Sequence, residues 1–178
     1  MTFKIIALCG SLRTGSINKT LLKAAHKLAH LHGAKIDIFE ELGTLPIFNP
    51  DHEDTDNIHV RSFRTALRDA DAVLVASPEY AHGVTGAIKN ALDWVVASGE
   101  FMQKPVACLN ASGRATIAQA ALIETIRTMD ARIIEQACLT IPLNGKNFSV
   151  ADIVENDDSR RLLDRALDAL VAAIEPVS

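Results

Sequence analysis

Five apolar runs of strand length alternate with helical patterns along this 178-residue chain, and no other feature constrains its fold as strongly. The runs are residues 3–9 (FKIIALC), 35–39 (KIDIF), 72–77 (AVLVAS), 105–110 (PVACLN) and the less regular 132–141 (RIIEQACLTI). Helical periodicity occupies residues 17–32, 57–69, 84–97, 116–128 and 158–174. A strand that is apolar at nearly every position is buried on both faces, which parallel sheets achieve by laying helices on each side. The expected architecture is an α/β three-layer sandwich with right-handed crossovers. Its five-stranded parallel sheet takes the order 2-1-3-4-5. Ligands of such sheets bind beyond the carboxyl ends of the strands, near the switch point. Three polar, glycine-bearing loops (10–18, 77–83 and 110–115) follow strands one, three and four. In that order the three strands are neighbours, so the loops converge on one site.

The helices are amphipathic. Leu21, Leu22, Ala25, Leu28 and Ala29 share one face of the first, with Lys19, Lys23 and Lys27 on another, and Gly33 fits its C-terminal cap. Ile58, Phe63, Ala66 and Leu67 are the expected inward positions of the second helix, and Leu163, Leu167, Leu170 and Ile174 those of the last. Trp94 reads as core or interface packing, and Lys89 as a residue that pairs locally. A long acidic connection, EELGTLPIFNPDHEDTD, carries the apolar patch LPIF. The patch either plugs a sheet edge or forms a subunit contact or site wall. The loop 142–157 holds NGKN and an acidic cluster.

Composition narrows the class. Hydrophobic residues make up 48% and charged residues 22% of the chain, the balance of a soluble globular protein. A net charge of −4 argues against a basic nucleic-acid surface. The apolar runs are too short and interrupted to cross a bilayer, and MTFKIIALCG has too short an apolar core for a secretory signal. A cytoplasmic location is therefore expected. Cys9, Cys108 and Cys138 are far apart, form no CxxC pair and read as buried, reduced thiols. His26, His30 and His32 lack a partner at metal-ligand spacing and read as a solvated face, so no metal site is expected.

The chemistry is concentrated in residues 10–18, GSLRTGSIN. A Gly- and Ser-rich turn between a buried strand and a helix N-terminus presents successive N–H groups, the positive end of the helix dipole and several hydroxyls. Arg13 adds a permanently charged, planar donor fork. Spacing excludes the reactive phosphate motifs. Gly10 and Gly15 match the glycines of a Walker A loop, but Ser16 stands where its lysine belongs. The turn is not G-x-G-x-x-G, because Ser11 and Leu12 follow Gly10. Counted forward from Cys9, the position of a cysteine-phosphatase arginine is Gly15. What remains is a loop that binds a monophosphate without reacting with it.

GSLRTGSIN resembles the G-S-x-R-x-x-S-x-N phosphate loop of the NADPH-dependent FMN reductase family. SPEYAHGVTGAIKNALDW resembles that family's second signature, S-P-E-Y-N-x-G-x-P-G-x-L-K-N-A-L-D-W, and the separation of the two blocks also fits. The resemblance covers nearly the whole chain. It implies one flavodoxin-like, FMN-binding domain over residues 1–178 that passes hydride from NAD(P)H through FMN to a small-molecule acceptor. Flavins, quinones, azo compounds and metal oxyanions are the acceptor classes it implies, and assembly as a dimer or tetramer is expected. By position, Ser11, Arg13, Ser16, Ile17 (through its N–H) and Asn18 would hold the FMN phosphate. Pro78, Glu79, Tyr80, Ala81 and Gly83 would line the ring edge, largely through backbone groups, with Ser112 and Gly113 from the third loop. Ala81 and Thr85 replace the family's Asn and Pro, and the third loop lacks a further Gly-Gly. No catalytic side chain is expected, since the flavin would carry the chemistry; His82 reads as a solvated loop residue. The alternative is a flavin-binding electron carrier or regulatory protein without NAD(P)H turnover.

Overall fold

β1 (Phe3–Cys9) is buried on both faces from Ile5 onward, and the rest of the chain is layered around it. A computed structural model describes residues 2–53, 56–143 and 148–174. The parallel sheet has the order β2-β1-β3-β4-β5, with β2 at Ala34–Phe39, β3 at Ala72–Ala76, β4 at Pro105–Leu109 and β5 at Arg132–Ile133. The expected fold class and strand order are therefore found.

Period-two alternation divides the strand residues between two cores. Ile5, Ala7, Leu74, Ala76, Ala107 and Leu109 face a layer made by α1 (Ile17–Leu28), α5 (Val150–Glu155) and α6 (Asp157–Ile174). Ile6, Leu8, Val73, Val75, Val106 and Cys108 face α2 (Ile58–Arg68), α3 (Gly86–Asp93) and α4 (Thr116–Arg127). Trp94, Phe63 and Phe101 are the largest side chains buried in the second layer.

The structure departs from the sequence-based expectation where polar residues interrupt a pattern. The fifth strand is not a run over 132–141. Only Arg132 and Ile133 pair with β4. Exposed Glu135 and Gln136 then lift the chain into a 3-10 turn (Glu135–Ala137), which sends Ala137 to one core and Cys138 to the other. The chain rejoins the sheet only at a bridge between Thr140 and Asn110. The third helix ends at Asp93 and continues as turns that reach Gly99, whose φ is +80°. The acidic stretch near 155 is a helix junction. Asn156 ends α5, and its backbone and side-chain oxygens accept from Arg160 and Ser159 N–H at 2.8 and 2.9 Å, opening α6. Residues 144–147 (NGKN) lie outside the described residues.

Two side-chain assignments also change. Ile58 sits at the first turn of α2 and is 66% exposed, whereas Phe63 and Leu67 are fully buried. The α1 histidines are not simply solvated. His26 Nδ1 lies 2.5 Å from the Ile36 carbonyl. His32, in the 3-10 turn after α1, bridges Asp164 at 3.0 Å and Asp168 at 2.7 Å on α6. Gly33 caps that turn in the left-handed region at φ +69°. Cys9 and Cys108 are buried, Cys138 is half-buried, and all three are free. No helix among the described residues is long and apolar enough to cross a membrane.

These positions predict opposite outcomes on one helix. Leu67→Ala removes a fully buried side chain and should lower stability by about 2–5 kcal/mol. Ile58→Ala should cost less than about 0.5 kcal/mol. Urea denaturation midpoints at constant m check both.

Candidate functional site

The site is built on the contact between the ends of β1 and β3. A Cβ at Gly10 would lie 2.1 Å from Ser77 Oγ, so this approach admits only glycine. Gly10 N–H donates to the Ala76 carbonyl at 2.9 Å, and the Thr85 hydroxyl donates to the Gly10 carbonyl at 2.6 Å. Thr85 also caps α3, its Oγ1 accepting from Ile88 N–H at 3.4 Å. The threonine that stands in place of the resembled motif's proline thus makes a loop-to-loop tie that proline cannot make. That role was readable in principle from a Thr directly before a helical run.

From Gly10 the chain leads to α1. Ser16 is its N-cap, with Oγ accepting from Lys19 N–H at 3.3 Å. The N–H groups of Ile17 and Asn18, in the first turn, have no intrahelical carbonyl. Asn18 is only 4% exposed, and its Oδ1 has no hydrogen-bond partner. An unpartnered buried amide costs about 1–3 kcal/mol, which a bound polar group would relieve. Ser11 is buried and accepts from Arg13 N–H at 3.4 Å. Arg13 itself is exposed.

After β3, Ser77 and Pro78 lead to a tight hairpin. Tyr80 and Gly83 exchange hydrogen bonds at 3.1 and 3.0 Å, around Ala81 at φ +50° and His82 at φ +59°. Two consecutive left-handed residues define a type I′ turn, which favours Asn, Asp or Gly. The resembled motif's Asn at position 81 therefore has a backbone reason, and Ala81 sits there at a cost. Tyr80 is 55% exposed. Glu79 ties the hairpin to α4. Its Oε2 accepts from Ala118 N–H at 2.9 Å at the start of α4, and Oε1 meets His82 Nδ1 at 2.9 Å. Because α4 has no side-chain cap of its own, Glu79 supplies one from another loop. The Ala118 N–H chiefly, helped by His82, holds the Glu79 carboxyl below the usual carboxylate range. His82 is exposed but does have a carboxylate partner.

The third loop is shaped by Asn110, which the sequence reading missed. Its Nδ2 donates to the Ala115 carbonyl and its Oδ1 accepts from Ser112 N–H, each at 2.9 Å. A cavity of about 260 Å³ lies where the loops meet, lined by Ile17, Asn18, Ser77, Pro78, Glu79, Asn110, Ser112 and Arg114 among others. A second cavity, about 300 Å³, adjoins the first loop, lined by Cys9, Ser11, Arg13, Lys19 and Glu40 among others. The expected residues therefore divide. Ile17, Asn18, Pro78, Glu79 and Ser112 share the first cavity, and Ser11 and Arg13 line the second. Ser16, Tyr80, Ala81, Gly83 and Gly113 line neither. A larger cavity, about 910 Å³, runs along β2 and α1 past Lys23, His26 and Lys35 and shares Lys23, Ile38 and Glu40 with the second.

The LPIF segment is fastened beside this site. Asn90 Nδ2 and Trp94 Nε1 donate to the Pro46 carbonyl at 2.9 and 2.7 Å, and Phe48 N–H donates to Asn90 Oδ1 at 2.8 Å. Phe48 packs edge-on against Trp94 at 5.1 Å, leaving Ile47 86% exposed. Lys89 pairs with Asp93 at 2.5 Å, one helical turn along. Among the described residues no group of three or more His, Cys, Asp or Glu side chains is placed to hold a metal ion. Burial pushes the Cys9 thiol up, so it is no ready nucleophile.

A parallel 2-1-3-4-5 sheet with helices on both faces and three loops meeting at its strand ends defines a flavodoxin-like fold. A family model for NADPH-dependent FMN reductase matches residues 3–145, and the chain belongs to that family. It is 32% identical over 181 residues to a 2-hydroxy-1,4-benzoquinone reductase of Burkholderia sp, covering 97% of this chain and 96% of the relative. It is 34% identical over 176 residues to an NAD(P)H-dependent FMN reductase of Pseudomonas aeruginosa, covering 94% and 92%. Among solved structures, the flavoenzyme NAD(P)H:(acceptor) oxidoreductase FerB of Paracoccus denitrificans superposes with a TM-score of 0.80 at 25% identity, covering 97% of each chain. The chain is thus an oxidoreductase of a flavin-dependent, NAD(P)H-using family.

Two variants test the loop geometry. Ala81→Gly relieves a left-handed alanine and should raise stability by about 1 kcal/mol, read as an upward shift of Tm. Glu79→Gln removes a carboxylate whose folded pKa is depressed. Its contribution is present above the usual Glu range, about pH 4, and is lost as pH falls through the folded value. The stability gap between wild type and Glu79→Gln should therefore be widest near neutrality and shrink on acidification, as read from denaturation midpoints across pH.

Proposed function

We propose that FMN binds with its phosphate at residues 11–18 and its ring toward residues 78–83, and that the enzyme reduces a small acceptor such as a quinone, flavin, azo compound or metal oxyanion. The single observation that carries the binding mode is Asn18: a buried amide with an unpartnered oxygen, in the first turn of α1, lining the cavity where three loops meet. The donor set suits a phosphate monoester and its polyol tail. The Ile17 and Asn18 N–H groups and the Ser11 and Ser16 hydroxyls supply short-range donors, and Arg13 supplies charge. The amide of Asn18 can donate or accept according to its orientation. FMN held by these residues would supply the two-electron hydride chemistry between NAD(P)H and the acceptor. This chain anchors the phosphate, and its Tyr80–Gly83 hairpin provides a rigid backbone edge for the ring. Glu79 locks the hairpin to α4, which holds the Ser112–Gly113 turn in register with it.

The two full-length relatives support an acceptor of quinone or flavin type, since one is named for a benzoquinone and the other for FMN. We further propose that residues 1–178 act as one domain in a homo-oligomer, a dimer or tetramer, through the exposed apex at Ile47. Three unpaired cysteines fit a reducing, cytoplasmic setting.

Absorbance spectroscopy tests the reading. Protein reconstituted with FMN should show a bound flavin spectrum that bleaches anaerobically on addition of NADPH or NADH and returns on addition of a benzoquinone. Flavin that binds but does not bleach with either nicotinamide would instead support the electron-carrier or regulatory alternative.

A further inference from the structure

The break in β5 leaves two cysteines side by side. Where β5 lifts away after Ile133, the N–H of Cys108 on β4 loses the strand carbonyl it would otherwise meet. The Cys138 sulfur takes that place, accepting the N–H at 3.3 Å. Both side chains lie on the α4 side of the sheet. Cys108 is fully buried there, and Cys138 is half-buried, so the pair has one inner and one reachable thiol. Neither cysteine belongs to the cofactor loops, although Asn110 begins two residues beyond Cys108. Asn110 N–H donates to the Leu139 carbonyl at 2.9 Å, immediately after Cys138.

We propose that Cys108 and Cys138 form an oxidisable dithiol pair, a modification site for hydrogen peroxide or an organic hydroperoxide, which closes to a disulfide across the seam between β4 and the turn after β5. The protons are distributed to suit this order of events. The Cys108 thiol, with Arg127 nearby, lowers the Cys138 thiol despite burial and Glu135, whereas Cys108 is raised, first by its interaction with Cys138 and then by burial. The outer sulfur is therefore the nucleophile and the inner one keeps its proton. The Cys138 thiolate attacks one peroxide oxygen: an S–O bond forms, the O–O bond breaks, and hydroxide leaves and takes up a proton as water. Cys138 is then a sulfenic acid. The Cys108 sulfur attacks the Cys138 sulfur, the S–O bond breaks, and the leaving hydroxyl departs as water with the Cys108 proton. Two thiols and one hydrogen peroxide give one disulfide and two waters; the sulfurs lose two electrons and the peroxide oxygens gain them. Cys9 has no sulfur partner. Its thiol meets the Ser11 carbonyl and is raised by burial, which makes it an internal control.

Peptide mapping of the folded, full-length protein tests this without reference to the cofactor. The protein is treated with hydrogen peroxide in modest excess, then alkylated under denaturing conditions and digested without reductant. A peptide pair joined through Cys108 and Cys138, lost on reduction, should appear, with Cys9 recovered alkylated. Cys9→Ser should leave that product unchanged, and Cys138→Ser should abolish it. The loss of free Cys138 should be on the order of tenfold faster than that of Cys9. Cys138 found as sulfinic or sulfonic acid with Cys108 still alkylated would overturn the proposal. So would full recovery of all three thiols under peroxide that oxidises free glutathione; either result would leave the Cys138 sulfur only as the acceptor that fills the gap in the sheet.

Discussion

The site depends on one close approach: Gly10 against Ser77, where β1 and β3 end side by side. No side chain fits at position 10, and the space it leaves lets the Thr85 hydroxyl reach the Gly10 carbonyl. The start of α1 and the start of α3 are thereby fixed to the same point. Everything that follows is positioned from there. Ser16 and Asn18 sit at the first turn of α1, and the Tyr80–Gly83 hairpin occupies the short span between β3 and α3. Because both strands are buried on both faces, the loops inherit the rigidity of the sheet.

A second set of ties converts adjacent loops into one frame. Glu79 reaches from the second loop to cap α4, and Asn110 folds the third loop back on itself. Asn90 and Trp94 hold Pro46 and Phe48 against α3. These are polar side chains bonded to backbone groups, reaching a different segment from Glu79, Asn90 and Trp94 and closing its own loop from Asn110. The N–H groups of Ile17 and Asn18, in the first turn of α1, lie where an anionic group gains most from the helix dipole.

Much of the fold was legible because the strands are continuous apolar runs and the loops between them carry Gly, Ser and Pro. The order of the strands and the convergence of three loops followed from that pattern. What was not legible depends on contacts between distant residues. KIDIF reads as a strand by alternation, but RIIEQACLTI gives no sign that Glu135 and Gln136 turn outward and end the pairing. Ile58 stands five residues before Phe63, about 140° round the helix, so it is exposed while Phe63 and Leu67 enter the core. The motif residues were identified in sequence, but their division between two cavities was not, because it depends on how β2 and the other two loops pack around the first. Glu79 looked like a ring-edge residue; its partner on α4 lies 39 residues away. Ala81 looked like the loss of a side-chain contact, and its positive φ shows a backbone requirement instead.

The central claim is that residues 11–18 hold the phosphate of the flavin, and a comparison of FMN with riboflavin addresses it most directly. The two ligands share ring and ribityl chain and differ only in the phosphate. Fluorescence titration of the apoprotein should give FMN an advantage on the order of 100-fold or more, as two charge-assisted hydrogen bonds imply. Asn18→Ala or Ser16→Ala should narrow that ratio. Equal affinity for the two ligands, or a ratio untouched by both substitutions, would contradict the account.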